Sequence, residues 1–253
     1  MTPRALAACL ALVAASIAGC GTASQPADTS SPEPTVVSVA PPDPALAESP
    51  VVADAARSVV KVHAISHACQ RSLEGSGVVV APNKVMSAAH AVAGSDSVTV
   101  HVGDEERSAT VVVFDPDMDI AVLDVPELTA PPMGLAEKPA TTGTDVLVLG
   151  YPGGGPFTAT PARIRDIIEL QGPDIYNTKT VTREVYSIRG SIRQGDSGGP
   201  LIGMDRRVLG IGFGAAIGEP ETGFALSAKE VFGLMMRGVA ATEPVPTGEC
   251  VKR

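Results

Sequence analysis

The sequence predicts an all-β fold built as two packed barrels, with one helix near the C-terminus. Three observations carry this. Short β-branched or alternating apolar runs recur from Ser58 to Leu226, punctuated by Gly, Pro, Asn and Asp. A proline-containing connection, Pro126 to Pro139, divides them into two halves. One stretch only, after Ser227, has helical rather than two-residue periodicity. Many short strands at turn-rich spacing fit sandwiches or barrels better than a βαβ sheet, and two halves joined by one linker fit two barrels.

The first half carries runs at Ser58 to Ser66, Gly77 to Ala81, Val85 to His90, Ser97 to Val102, Ser108 to Phe114 and Ile120 to Val125. The second half resumes at Asp145 to Leu149, Ala162 to Leu170, Thr180 to Ile188, Pro200 to Ile202, Arg207 to Phe213 and Gly223 to Leu226. In the helix, Ser227 and Glu230 have capping-box spacing, Val231, Leu234 and Met235 share a face, and Gly238 is the expected stop. These readings put the folded domain at 51–250, with an N-barrel over about 51–125 and a C-barrel over about 143–240.

The chain is long enough for one large all-β unit at 253 residues, and 44% hydrophobic residues suffice for a core. A net charge of −9 argues against a surface for nucleic acid or anionic lipid headgroups. Cys9, Cys20, Cys69 and Cys250 are too scattered for a zinc site, so no metal or other cofactor is expected.

The N-terminus points outside the cytoplasm. Arg4 precedes an apolar run of small residues from Ala5 to Ala18, too short to span a bilayer comfortably and similar to a secretory signal over 1–19. Its end, Ile17-Ala18-Gly19-Cys20, resembles a bacterial lipobox, which implies lipidation at Cys20 and a cell-membrane lipoprotein facing the periplasm or extracellular side. Residues 20–50 are rich in Pro, Ala, Ser and Thr and are expected to form a disordered tether. With Cys9 removed and Cys20 lipidated, Cys69 and Cys250 are left as a pair in an oxidising compartment, expected to be bridged.

The chemistry concentrates in Gly195-Asp196-Ser197-Gly198-Gly199-Pro200. A serine hydroxyl is a weak nucleophile and needs a tight turn and an adjacent base. The flanking glycines free backbone N–H groups to hold an oxyanion. Upstream, the run Val85 to Ala89 ends in His90, and Asp115, Asp117 and Asp119 precede the strand at Ile120. On chemistry alone all three aspartates compete to orient the base. Asp119 is preferred because the alternating strand starts immediately after it. The isolated His63, His67 and His101 receive no role.

The Gly-Asp-Ser-Gly-Gly-Pro loop, Ser87-Ala88-Ala89-His90 and Asp119-Ile120-Ala121-Val122-Leu123 together resemble the three signatures of chymotrypsin-fold serine proteases, in the order His, Asp, Ser. The resemblance implies two packed six-stranded antiparallel barrels and a serine endopeptidase acting on envelope or extracellular proteins through an acyl-enzyme. In that family pattern Ser197 attacks the scissile carbonyl, His90 is general base and then acid, and Asp119 orients the imidazole. The N–H groups of Gly195 and Ser197 correspond to the oxyanion hole. Gly212, Phe213, Gly214 and Ala215 resemble the strand that pairs with substrate and walls the specificity pocket. Gly223 resembles its far side and Ser191 its base, which implies a small or medium apolar preference.

Gly75-Ser76-Gly77-Val78 and Gly150-Tyr151-Pro152-Gly153 are similar to loops of the bacterial stress-protease branch. Over about residues 55–250, Cys69 and Cys250 included, the likeness is to the periplasmic domain of MarP-like proteases of mycobacteria. Those carry several N-terminal membrane helices where this chain has a lipoprotein-like signal. A further departure is the lack of an Ile-Val-Gly-Gly activation sequence before the first strand, which leaves open what orders Asp196. The alternative from another class is a catalytically inactive protease fold serving as a binding lipoprotein. An esterase would keep the same three groups.

Overall fold

A computed structural model describes residues 37–103, 105–219 and 221–251. The signal, Cys20 and the first part of the expected tether lie outside the described residues. The first barrel comprises β1 (Val59–Ser66), β2 (Arg71–Ala81), β3 (Lys84–Ser87), β4 (Ser97–Val102), β5 (Glu105–Asp115) and β6 (Ile120–Asp124). The second comprises β7 (Asp145–Gly150), β8 (Thr158–Pro173), β9 (Thr180–Arg189), β10 (Pro200–Gly203), β11 (Val208–Ala215) and β12 (Thr222–Ser227). Each is antiparallel and closed, and both follow one topology: β1-β2-β3-β6-β5-β4 is matched by β7-β8-β9-β12-β11-β10. Closure rests on β1 pairing with both β2 and β4, and on β10 pairing with both β11 and β7. The chain therefore has the chymotrypsin-like fold that the sequence predicts.

Period-two alternation decides which side chains fill each barrel. On β1, Val60, Val62 and Ala64 are wholly buried, whereas Lys61, His63 and Ile65 face outward. Val79, Val85, Val100 and Leu123 complete the first interior, and Val146, Ile164, Ile188 and Leu201 fill the second. A third cluster joins the barrels, uniting Val59, Met86, Ile120 and Val122 with Leu147, Leu149, Ile202 and Ile211. That seam is where the site residues converge.

The C-terminal helix, α2 (Ala228–Ala240), packs on the seam through Val231 and Leu234. Ser227 Oγ accepts from Glu230 N–H at 3.1 Å, as its capping position predicts. Gly238 does not stop the helix. A Cβ there would lie 2.5 Å from Val122, so this glycine is a point of close approach to the first barrel.

A second helix, α1 (Pro50–Ala56), was not expected from periodicity because it is too short to display any. It begins with Ser49 as N-cap and Pro50 at its first position. Of the segment assigned to the tether, residues 37–50 are described. The carbonyls of Val37, Val39 and Ala40 accept from Arg165, Arg189 and Arg163 on β8 and β9. A 3-10 turn at Pro44–Glu48 follows, with Asp43 as its N-cap.

Cys69 and Cys250 are joined in the structure, with Cα atoms 5.8 Å apart. Among the described residues, no helix is long and apolar enough to cross a membrane.

Candidate active site

The strand expected to run to His90 ends at Ser87, and His90 stands beyond it on a single 3-10 turn, Ala89–Ala91. Buried Ala88, Ala89 and Ala91 anchor that turn, while the histidine side chain keeps 27% exposure. Small flanking residues are what the packing requires: a Cβ added at Gly198 would meet Ala88 N at 2.5 Å. The turn that carries Ser197 therefore lies directly against the turn that carries His90.

The three aspartates separate cleanly. Asp115 Oδ1 accepts from the N–H groups of Asp117 and Met118, so it closes the loop that it begins. Asp117 pairs outward with Lys179 at 2.7 Å. Asp119 alone of the three turns to the histidine. Its Oδ2 is 2.7 Å from His90 Nδ1, its Oδ1 accepts from His90 N–H at 2.9 Å, and its carbonyl accepts from Ala89 N–H at 3.2 Å. A carboxylate on Nδ1 selects the tautomer that leaves Nε2 able to accept a proton. Asp119 holds φ at +57°, a conformation that few non-glycine residues adopt, so the loop must be fixed from several sides.

The Ser197 turn is pinned on both faces. Ser197 carbonyl accepts from Ser76 N–H at 2.9 Å, Gly198 N–H donates to Gly212 carbonyl at 2.7 Å, and Gly212 N–H returns to Gly199 carbonyl at 2.9 Å. Ser197 is 9% exposed.

The Gln194–Gly195 peptide has a defined direction. Gln194 carbonyl accepts from Gly153 N–H at 2.7 Å. No peptide bond among the described residues is cis, so the Gly195 N–H points away from Gly153. Gly195 sits at φ +93°, and a Cβ there would meet Gly153 N at 2.5 Å; only glycine fits. Buried Ser76 secures the next peptide, donating through Oγ to Gly195 carbonyl at 2.7 Å and accepting from Tyr151 N–H at 2.8 Å. Lys61 Nζ, from the first barrel, donates to Gly154 carbonyl at 3.1 Å and steadies the turn that holds Gln194.

The group that orders Asp196 is Arg193. Asp196 is 1% exposed, and its Oδ2 accepts from Arg193 N–H at 2.9 Å and from Arg193 Nε at 3.4 Å. Burial pushes the Asp196 carboxyl above the ordinary carboxylate range, while Arg193 pulls in the other direction.

Beside this loop lie the residues expected to form a specificity pocket. Ile192, not Ser191, is the side chain that packs between Gly212 and Gly223. Ile192 is 7% exposed, and its side chain lies 3.4 Å from a Cβ position at Gly212 and 2.9 Å from one at Gly223. A bulge between Gly212 and Gly214 sets Phe213 out of register, its ring 6.4 Å from that of Phe224. Ala215 pairs with Gly223 across the strands. On the other side, a cleft of about 180 Å³ is lined by His90, Gln194, Gly195, Gly153, Arg71 and Glu74. His63, His67 and His101 lie elsewhere, with Ser72, Asp96 and Glu106 as neighbours.

Residues 75–211 match the trypsin-like peptidase domain, and the chain belongs to that family of serine proteases. It is 57% identical over 217 residues to serine protease Rv3671c of Mycobacterium tuberculosis, covering 85% of this chain and 54% of that protein. The chain thus spans about half the length of that relative. It is 30% identical over 175 residues to the putative mitochondrial protease Do-like 3 of Arabidopsis thaliana, covering 63% of this chain and 30% of that protein. Among solved structures, the active form of the Rv3671c protease superposes with a TM-score of 0.85 at 56% identity, over 87% of this chain and 97% of that one. For the inactive form the TM-score is 0.73 at 55% identity, over 79% and 98%.

Proposed function

We propose that this chain is a serine endopeptidase in which His90, Asp119 and Ser197 form the catalytic triad. The observation that carries the reading is the contact of Asp119 Oδ2 with His90 Nδ1 at 2.7 Å, on a turn packed against the Ser197 loop. In this mechanism Ser197 Oγ attacks the scissile carbonyl carbon as His90 Nε2 takes its proton. The Gly195 and Ser197 N–H groups hold the oxygen that becomes an oxyanion, each donor worth about 3 kcal/mol in sites of this kind. His90 then gives its proton to the leaving amine. The acyl-enzyme is released when water, deprotonated by the same imidazole, attacks it. Asp119 orients the imidazole and stabilises the imidazolium.

The substrates are envelope or extracellular proteins, in keeping with the periplasmic DegP-like relatives in bacteria and with the lipobox-like segment ending at Cys20. The preferred cleavage residue is small or medium and apolar, in keeping with the apolar Ile192 side chain beside Gly212 and Gly223. A lipid on Cys20 would tether the domain to the membrane through residues 20–50.

Labelling by a fluorophosphonate tests the reading. Wild type should be labelled and should cleave a casein-like protein, with Ser197→Ala doing neither. An unlabelled wild type would mean a binding module, and hydrolysis of small esters without protein cleavage would mean an esterase. Mass spectrometry of the mature N-terminus should find diacylated Cys20; any other N-terminus would exclude the anchor.

A further inference from the structure

Arg183, on β9, carries a permanent positive charge into the seam between the barrels, and the triad chemistry does not use it. It is 4% exposed. Among the described residues its hydrogen bonds end on backbone carbonyls: Nε and Nη2 both reach Asp117 carbonyl, Nε at 2.8 Å, and Nη2 also reaches Pro173 carbonyl at 3.0 Å. The guanidinium carbon lies 5.7 Å from the centre of the Phe213 ring. Burying a guanidinium costs several kcal/mol, and an apolar side chain would fill the same space without that cost. Packing alone does not account for an arginine here.

Its contacts suggest what does. Asp117 is two residues before Asp119, whose positive φ needs a loop held on more than one side. A planar fork that places two N–H groups on one carbonyl fixes that peptide in distance and in orientation, which a lysine cannot do. The carbonyl belongs to the first barrel, while the arginine and Phe213 belong to the second. Phe213 lies on β11, the strand assigned to the substrate backbone. The charge also attracts the carboxylates of Asp119, Asp117, Asp174 and Asp115 across space.

We propose that Arg183 is a positioning residue: it clamps the Asp115–Asp119 loop against Phe213 and so holds the triad's acid in register with the substrate strand. This rests on the triad reading above. Its effect passes through Asp119, so it is measured as turnover per titrated active site, with peptide substrate, in Arg183→Met and Arg183→Lys, alone and on an Asp119→Ala background. Met keeps the stem over the ring and removes the fork; Lys keeps charge and stem. Arg183→Met should lower kcat about tenfold or more, and Arg183→Lys should fall between it and wild type. On the Asp119→Ala background Arg183→Met should cost less than about twofold, because two residues acting as one unit are not additive. A purely structural arginine would cost the same on both backgrounds.

Turnover within twofold of wild type in Arg183→Met, or full additivity with Asp119→Ala, would overturn the proposal. Should Arg183→Met fail to fold, wild-type turnover in Arg183→Lys would overturn it equally. Failure of the triad reading looks different: Asp119→Ala itself would then leave turnover unchanged.

Discussion

Arg193 holds the carboxylate of Asp196, three residues along the chain, through its own backbone N–H at 2.9 Å and its Nε at 3.4 Å. A local arginine thus supplies the positive group at Asp196, in the same loop whose Gln194 carbonyl accepts from Gly153 N–H at 2.7 Å.

That pairing makes the pH behaviour of Asp196 testable. Its native pKa is raised by burial, above the unfolded value of about 3.9. Between those two values the native state binds more protons than the unfolded state, so this residue's contribution to stability falls as pH rises through the window. Above the window its ionised form costs stability. Asp196→Asn should therefore melt no lower than wild type at neutral pH. Its kcat should fall, but only about fivefold, because an ion pair to a half-exposed arginine is worth at most about 1 kcal/mol. A lower melting temperature at neutral pH with unchanged kcat would contradict both halves.

Ser76→Ala should reduce kcat with little change in KM. Its wholly buried hydroxyl serves Gly195 carbonyl and Tyr151 N–H together, and its loss leaves two backbone groups unpaired at a cost of about 1–3 kcal/mol. Steady-state kinetics beside thermal melting would separate the effects; an equal rise in KM would place Ser76 in substrate binding instead.

Ile192→Ala should widen the pocket between Gly212 and Gly223 and shift the cleavage preference toward larger apolar side chains. Discrimination between neighbouring sizes should change by about 1–3 kcal/mol. A peptide library would read this directly. A dominant Lys or Arg preference in wild type would refute the apolar pocket.

The Cys69–Cys250 link closes a loop with a sequence separation of 181. In the chain-entropy view, opening so long a loop removes up to roughly 5 kcal/mol of stability. The bridge also backs Gly94, at φ +65°, where a Cβ would lie 3.2 Å from Cys69 Sγ. Replacing both cysteines with serine should lower the melting temperature markedly. Equal melting of the oxidised and reduced protein would show that the link carries no stability.

What the sequence determined by itself is whatever chemistry writes into contiguous residues. Glycines around Ser197, alanines before His90, an alternating strand after Asp119 and a serine cap at Ser227 each have a local cause, and each is legible where it stands. The twelve strands were legible for the same reason, though their ends were not: β8 runs from Thr158 to Pro173, well beyond its apolar centre, because pairing with β9 extends it. Only the tertiary structure decided among Asp115, Asp117 and Asp119, since all three are local turn formers and the choice depends on which one faces a histidine on another strand. Only it gave Ile192 its packing beside Gly212 and Gly223, Gly238 its packing against Val122, and Arg183 its place between the barrels. Those roles come from contacts made when two barrels close and press together. A residue held by a distant partner carries no mark of that partner in its own neighbourhood.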